Sequence, residues 1–452
     1  MQNAQIKENP AGEKLIRVLF FTLILSVMNA SMFNVVLPTI SREFQITSSQ
    51  VSWIVTAYMI VYAIGSVTYG KLADKYRLKD LLTFGLSVFA LGSVVGVMAT
   101  QYWMVILARV LQSLGASVIP ATAMIIPVRY FPPEKRGRAL GTTASGLALG
   151  TAIGPIVSGL VSSMASWRFL FLLSVLALIT LPFYRKHLDD KRGEAGRTDL
   201  AGGALLAGTV ASLLLAITYE EWLLLMLGII FLALLIWRMR RAAEPFIQPT
   251  LLKNKQYIFG VLTAFVATGL AFGIPFLTPQ LLANVNHLSP AMIGLVMFPG
   301  AIASASLGRM GGRLADEKGN SFLFYLATSC QFLAFGLLST VAGLSPFLIL
   351  FVLISGNLGQ TFMQIAMSNT VSRTLPRDQI GIGMGLYSML NFIAGATATT
   401  LIGKTLDVGG TIQLNPLLMI QGASVYSNIY LALAVLVVIV IILNTGQRKT
   451  AR

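Results

Sequence analysis

Charge is scarce in this chain, and so are the residues that usually carry chemistry. Of its 452 residues only 11% are Asp, Glu, Lys or Arg, against about 25% in a soluble domain. There is one cysteine, Cys330, and two histidines, His187 and His287. A lone thiol excludes an intramolecular disulfide, and Cys330 sits in an apolar run, where it reads as a small buried residue. Two histidines in separate polar stretches, with no cluster of ligating side chains, leave no metal set. No glycine-rich phosphate loop occurs, so work driven by ATP within this chain is excluded.

What is present is oil and glycine: 55% hydrophobic residues and 41 glycines. Apolar runs of about 20 residues recur from end to end, each long enough to cross a hydrocarbon core of about 30 Å as a helix. Fourteen spans are expected, at 15–37, 51–72, 80–100, 103–127, 138–162, 168–185, 200–218, 222–238, 258–283, 290–310, 321–343, 346–369, 380–404 and 426–444. The first is too long for a secretory signal and ends in "FNVVLPTI" with no small-residue cleavage site. The fold class is therefore an all-α polytopic membrane protein.

The net charge of +16 invites a nucleic-acid reading, but its distribution opposes one. Nearly all of the 33 Lys and Arg fall in the tails or in loops that share one side. The opposite side holds Arg42, Arg168 and Lys404, and Arg109 alone falls within a span. Basic loops are retained in the cytoplasm, so both termini are expected there, in a multi-pass cell-membrane protein. The basic face meets anionic lipid headgroups; membrane lipids are the expected partners and nucleic acid is not.

Two charged phrases echo each other. "GKLADKYRLKD" (70–80) and "GGRLADEKGN" (311–320) align Gly70, Leu72, Ala73 and Asp74 with Gly312, Leu314, Ala315 and Asp316. The first follows span 2 and the second span 10. If spans 7 and 8 are an insertion, span 10 is the second helix of a second set of six. That gives an N-terminal six-helix bundle (1–185), a linker with two inserted helices (186–257) and a C-terminal bundle (258–452). Pro245 and Pro249 argue against a continuous helix through 239–257. The 405–425 loop, with Asp407 as its one charge, receives no role.

On these residues the chain resembles the major facilitator superfamily, and most of all its fourteen-span drug:proton antiporters, including the Gram-positive tetracycline and multidrug exporters. The 70–82 stretch and its partner at 312–320 resemble the loop 2–3 motif. "RVLQSLGAS" (109–117) resembles the fourth-span motif, and "GLALGTAIGPIVSG" (146–159) the span 5 antiporter motif. "NVVLP" (34–38) closes span 1 as in that branch, and "LSPAMIGLVMFPG" (288–300) is close to the tetracycline-exporter wording. The resemblance implies two six-helix bundles plus two inserted helices, with no bound cofactor and a proton gradient as energy source. It also implies a bacterial plasma-membrane location, a small amphipathic substrate, and export by alternating access. A monomer is expected.

Each motif has a physical reading beside that resemblance. Gly70 and Gly312 allow close helix approach, while Asp74 and Asp316 can cap a helix and pair with a base. The resemblance makes these a latch across the cytoplasmic side. Arg77 departs from the motif at a glycine position, and Leu78 at a basic one. Arg109, inside a span, is costly and should face an internal site with partners; the resemblance gives it a part in coupling. Gly146, Gly150 and Gly154, four apart, make a packing groove. Pro155 permits a bend, and Gly159 closes the motif. Asn29, Asn34, Tyr58, Gln112, Asn357, Gln360, Gln364 and Asn391 are the candidate substrate-cavity residues, polar but uncharged, suited to a planar or zwitterionic compound.

One feature fits badly. Related exporters carry an acid in span 1 shortly before "NVxLP", and this chain has Asn29 and Ala30 there; spans 5 and 13 hold none. An amide does not titrate. Coupling could run through Asp74 with Arg109, or through a cationic substrate itself. The chain could equally be an uncoupled facilitator or flippase for a lipid or metabolite, or a variant whose coupling acids were removed.

Overall fold

The computed structural model describes residues 10–190, 199–376, 379–410 and 412–450, and among them there is no strand. Lys7 and Arg452, which contribute to the predicted cytoplasmic tails, lie outside that set. Among the described residues fourteen helices are long and apolar enough to cross a membrane. In chain order they are α1 (Ala11–Phe44), α2 (Ser48–Ala73), α3 (Leu78–Val97), α4 (Tyr102–Tyr130), α5 (Lys135–Met164), α6 (Phe169–His187) and α7 (Leu200–Tyr219). Then follow α8 (Trp222–Arg241), α9 (Lys255–Asn284), α10 (Pro290–Lys318), α11 (Asn320–Val341), α12 (Pro346–Ser372), α13 (Ile380–Val408) and α14 (Gln421–Thr445).

The protein is an all-α membrane protein of two six-helix bundles with an inserted pair. In the first bundle α1 packs along α5, and α3 and α2 along α4. In the second, α10 and α11 pack along α12, and α9 along α13 and α14. The halves meet where α2 lies against α13, α5 against α10, and α1 against α9.

Several helix ends differ from expectation. "NVVLP" does not end α1, which runs through Pro38 to Phe44. Proline is tolerated inside a membrane helix where neighbours enclose the freed backbone, and here Leu37 and Ile40 are fully buried. The same holds at Pro155, inside an unbroken helix. By contrast α4 breaks at Ser117, between Ala116 and Val118. Pro120 cannot donate to the Ala116 carbonyl four residues back, so the ladder is interrupted there. Pro182 acts similarly in α6, preceded by a 3-10 turn over Leu176–Thr180. Pro245 and Pro249 lie in the irregular stretch between α8 and α9, as their chemistry requires.

The α7–α8 hairpin lies over the α2/α13 seam. Its α7 packs on both helices, with Trp53 Nε1 donating to Thr218 Oγ1 at 2.9 Å. On α8 Gly228 and Leu235 are buried, Leu224, Phe231, Arg238 and Met239 are half-buried, and most of the rest face outward, as lipid demands. Asp199 ties the hairpin's basic end. It caps α7 by accepting from Gly202 N (2.9 Å) and accepts from Arg238 Nε of α8 (2.6 Å) and Phe246 N (3.2 Å). At the other end Lys404 of α13 pairs with Glu220 at 2.5 Å.

Candidate functional site

Arg109 is the largest fully buried side chain of the protein. A cation so placed needs partners, because desolvation costs several kcal/mol if left uncompensated. Its Nε donates to the Ile54 carbonyl of α2 at 3.1 Å. Nη1 donates to Asn29 Oδ1 (2.8 Å) and Gln112 Oε1 (3.0 Å), with a longer contact to the Asn29 carbonyl (3.5 Å). The guanidinium lies between two aromatic faces, Phe33 at 4.3 Å and Tyr58 at 4.1 Å to the ring centroids, where the ring quadrupole favours positive charge. Nη2 has no hydrogen-bond partner among the described residues.

The next layer fixes the two amides. Gln112 Nε2 donates to Ser93 Oγ at 2.9 Å, and Asn29 Nδ2 donates to Ser174 Oγ. Both amides therefore turn oxygen toward Arg109 and nitrogen toward a serine, the one orientation that satisfies both ends. Asn29, Gln112 and Tyr58, expected in a substrate cavity, are instead the shell of Arg109 and are buried. Every hydrogen-bond acceptor on the guanidinium, among the described residues, is neutral.

Asp74 and Arg109, named together for coupling, do not touch. Arg109 meets α2 at Ile54, and Asp74 caps the far end of that helix, about 30 Å along at 1.5 Å per residue. The residues expected to form latches make no such contact here. Asp74 and Asp316 are exposed, and neither carboxylate has a hydrogen bond or ion pair among the described residues. A Cβ on Gly70 or Gly312 would meet nothing within 4 Å, so the expected close approach is absent in this conformation. The bases of the first phrase are engaged elsewhere: Arg77 and Lys79 pair with Asp190 beyond α6. Hydrogen bonding to Lys79 holds the Asp190 carboxyl below the usual range.

The remaining cavity candidates are spread over α1, α12 and α13. Asn34 is buried on α1. Asn357 and Gln360 are half-buried and Gln364 is exposed; they share a face of α12, though Asn357 Nδ2 donates to its own helix at Leu353 O (2.8 Å). Asn391 Oδ1 accepts from Thr268 Oγ1 of α9 at 3.2 Å. An aromatic ladder joins the halves: Tyr58 stacks on Tyr62 at 5.7 Å, and Tyr62 meets Phe392 of α13 edge-on at 4.8 Å. Sequence reading did not single out Phe33, Tyr62, Phe392, Ser93 or Ser174, which carry no mark in an apolar chain.

The span 5 glycines divide their work. Gly146 and Gly150 lie against α1, where a Cβ would come within 3.0 Å of Phe20 O and 2.8 Å of Ile24 O respectively; Gly154 meets Ser31. Gly159 instead faces the other half, 2.6 Å by the same measure from Pro290 O. Gly294 of α10 answers it, at 2.5 Å from Pro155 O, and Gly403 of α13 lies 2.9 Å from Ser48 O of α2. At this end, the charge-poor face, the halves touch backbone to backbone. Toward the basic face, a Cβ on Gly70, Gly137, Gly141, Gly312, Gly381 or Gly385 would meet nothing within 4 Å. The halves thus touch through backbone at the charge-poor face, while toward the basic face these glycines have no neighbour and Arg309 Nη2 of α10 donates to Ser145 Oγ of α5 at 3.4 Å.

A family model described as Major Facilitator Superfamily matches residues 19–399. The chain belongs to the major facilitator superfamily. It is 27% identical over 386 residues to "Riboflavin transporter RibZ" of Clostridioides difficile (strain 630), covering 83% of this chain and 84% of that protein. It is 26% identical over 411 residues to "Multidrug resistance protein Stp" of Mycobacterium tuberculosis (strain CDC 1551 / Oshkosh), covering 87% and 76%. Among solved structures it is similar to a POT family transporter in complex with 5-aminolevulinic acid, with a TM-score of 0.71, 14% identity, and coverage of 97% of this chain and 96% of that one. It is likewise similar to a bacterial homologue of the human lysosomal transporter Spinster, at TM-score 0.68, 14% identity, and 97% and 96% coverage. The superfamily member described here is thus a transporter with fourteen membrane-spanning helices.

Proposed function

We propose that this transporter exports small amphipathic compounds, of the tetracycline or multidrug type, in exchange for protons. It works by alternating access from a cell membrane with both termini in the cytoplasm. The observation that carries the reading is the seam: backbone contact between the halves at the charge-poor face, and glycines without a neighbour toward the basic face. A rocking transporter open to the cytoplasm has this form, and the basic loops orient it so. Similarity to a multidrug resistance protein favours export. The polar, uncharged residues Asn34, Gln360, Gln364 and Asn391, with Tyr62 and Phe392, suit a planar substrate bearing no strong cation.

A second reading is favoured by one observation. Arg109 has neutral acceptors, so the site lacks a carboxylate to exchange protons as access changes. An uncoupled facilitator, or a flippase for a lipid or metabolite, has no need of one.

One assay separates the two. Purified protein in liposomes with an imposed pH gradient and an internal pH dye receives tetracycline with a divalent ion, ethidium, a fluoroquinolone or riboflavin in turn. Proton movement that depends on substrate supports exchange; substrate flux without it favours the facilitator and overturns antiport. Arg109→Ala should lower flux by at least about a hundredfold while leaving insertion intact. It removes a buried cation whose hydrogen bonds tie α4 to α1 and α2. Wild-type flux in that variant removes Arg109 from the mechanism.

A further inference from the structure

The charge-poor face holds few ionic groups, and two of them reach across the seam to helix ends of the opposite half. Asp407, near the end of α13, accepts from Ser48 N at 2.7 Å and Ser49 N at 3.0 Å, the first amides of α2. Arg42, near the end of α1, donates from Nη2 to Ala283 O at 2.8 Å and Asn284 Oδ1 at 3.0 Å, at the last turn of α9. A helix start presents unpaired N–H groups and partial positive charge; a helix end presents carbonyls and partial negative charge. A carboxylate from the second half therefore caps a first-half N-terminus, and a guanidinium from the first half caps a second-half C-terminus.

The fit at α2 is divided between the two halves. Its own capping box covers two amides: Thr47 Oγ1 accepts from Gln50 N (3.3 Å), and Gln50 Oε1 accepts from Thr47 N (3.0 Å). The two amides between them, Ser48 and Ser49, are the ones Asp407 takes. Below this cap the seam is lined by Thr56 Oγ1 against Thr399 (3.1 Å) and Thr400 (3.2 Å).

The geometry points to Asp407 and Arg42 as the gate of the charge-poor face, two charged caps that hold the state seen here and release when that face opens. Water can replace each cap when the halves separate, so opening leaves no buried group unsatisfied, and the two sites, on different helices, act independently. The other arginine on this face serves as a contrast. Arg168 pairs with Glu43 at 2.6 Å and donates to Ala99 O at 2.7 Å, all within the first half. It should play no part in gating.

This inference rests on the alternating-access reading, and its test needs neither substrate nor proton gradient. In a Cys330→Ala background, spin labels at Gln101→Cys and Phe347→Cys report the charge-poor face of each half, and labels at Lys75→Cys and Lys318→Cys the basic face. Pulsed dipolar distances are measured in nanodiscs. Asp407→Ala and Arg42→Ala should each raise the population with a longer charge-poor distance and a shorter basic distance about fivefold, the size of one lost helix cap. The double variant should raise it about 25-fold, because independent sites multiply. Asp407→Asn, which keeps a capping oxygen without the charge, should fall between wild type and Asp407→Ala and covers the case of a poorly folding alanine variant. Arg168→Ala should match wild type. Unchanged distributions in the Asp407 and Arg42 variants, or an equal shift in Arg168→Ala, overturn the gate. Shifted distances alongside failed proton exchange would instead sink the antiport reading and leave the gate standing.

Discussion

The same four helices, α2, α5, α10 and α13, behave differently at their two ends. At the charge-poor end Gly159, Gly294 and Gly403 admit the backbone of the other half, and charged side chains cap helices across the seam. At the basic end glycines of equal number or more face nothing within 4 Å, and Asp74 and Asp316 are exposed. Glycine at one end is occupied by contact, and at the other it has none. If the proposed alternating access holds, the contacts at the charge-poor end support this conformation and the free glycines at the basic end would serve the other.

The largest effect should come from filling a glycine at each end. In Gly294→Leu the added side chain meets the Pro155 backbone, which cannot yield as a flexible side chain does. Overpacking of this kind costs about 1–3 kcal/mol, charged wholly to the closed form of the charge-poor face. In Gly312→Leu the state seen here is untouched, but the basic face can no longer close. Flux should fall at least about tenfold in both. The label pairs at the two faces should show opposite trapping: Gly294→Leu held open at the charge-poor face and Gly312→Leu at the basic face. The same trapped state in both variants would break the comparison.

A smaller effect concerns the inserted hairpin, which is tied at both ends by different chemistry. At the charge-poor end Lys404–Glu220 links it to α13; at the basic end Asp199 links α7, α8 and the following loop to one another. Burial works to raise the Asp199 carboxyl, but the Gly202 amide, Arg238 and the Phe246 amide together hold it below the usual range. Asp199→Ala should lower thermal unfolding stability by about 2 kcal/mol, as loss of a buried cap and a charge-assisted bond. Because the folded carboxyl titrates below its unfolded value, its contribution is fully present above about pH 4 and is lost as pH falls further. The gap between wild type and variant should be constant from pH 8 to 5 and narrow only on stronger acidification. Label distances should stay as in wild type, since Asp199 makes no bond to the second half.

How much of this was legible depends on whether a residue's meaning lies in its own helix or in a neighbour. The spans, the basic face and Arg109 could be read directly, because apolar length and a guanidinium in an apolar run are local facts. Asn29 and Gln112 were visible as polar residues but not as the shell of Arg109. Periodicity places a side chain on a face of its own helix and is silent about which helix comes to meet it. Asp407 looked like an ordinary loop acid because its partner Ser48 is 359 residues away. Pro38 misled for a related reason: its cost depends on whether surrounding helices enclose the freed carbonyl, and here they do. The two charged phrases were found by repetition, yet repetition gave no hint that Asp74 and Asp316 would both be exposed here.

That last point yields the smallest expected effect and the sharpest use of the comparison. Asp74 and Asp407 are both carboxylates at helix ends, one exposed and one bonded across the seam. Asp74→Asn removes no interaction present in this state, so unfolding stability should change by no more than about 0.5 kcal/mol. If Asp74 serves the opposite state, its loss weakens closure of the basic face by about 0.3–1 kcal/mol, the value of a charge at a helix terminus. The basic-face distance distribution should then shift two- to fivefold toward the longer population, while Asp407→Ala shifts it toward the shorter. Equal chemistry at the two ends would thereby act with opposite sign. A shift of Asp74→Asn in the same direction as Asp407→Ala would mean that the exposed carboxylate supports the present state after all, and that the two ends are not counterparts.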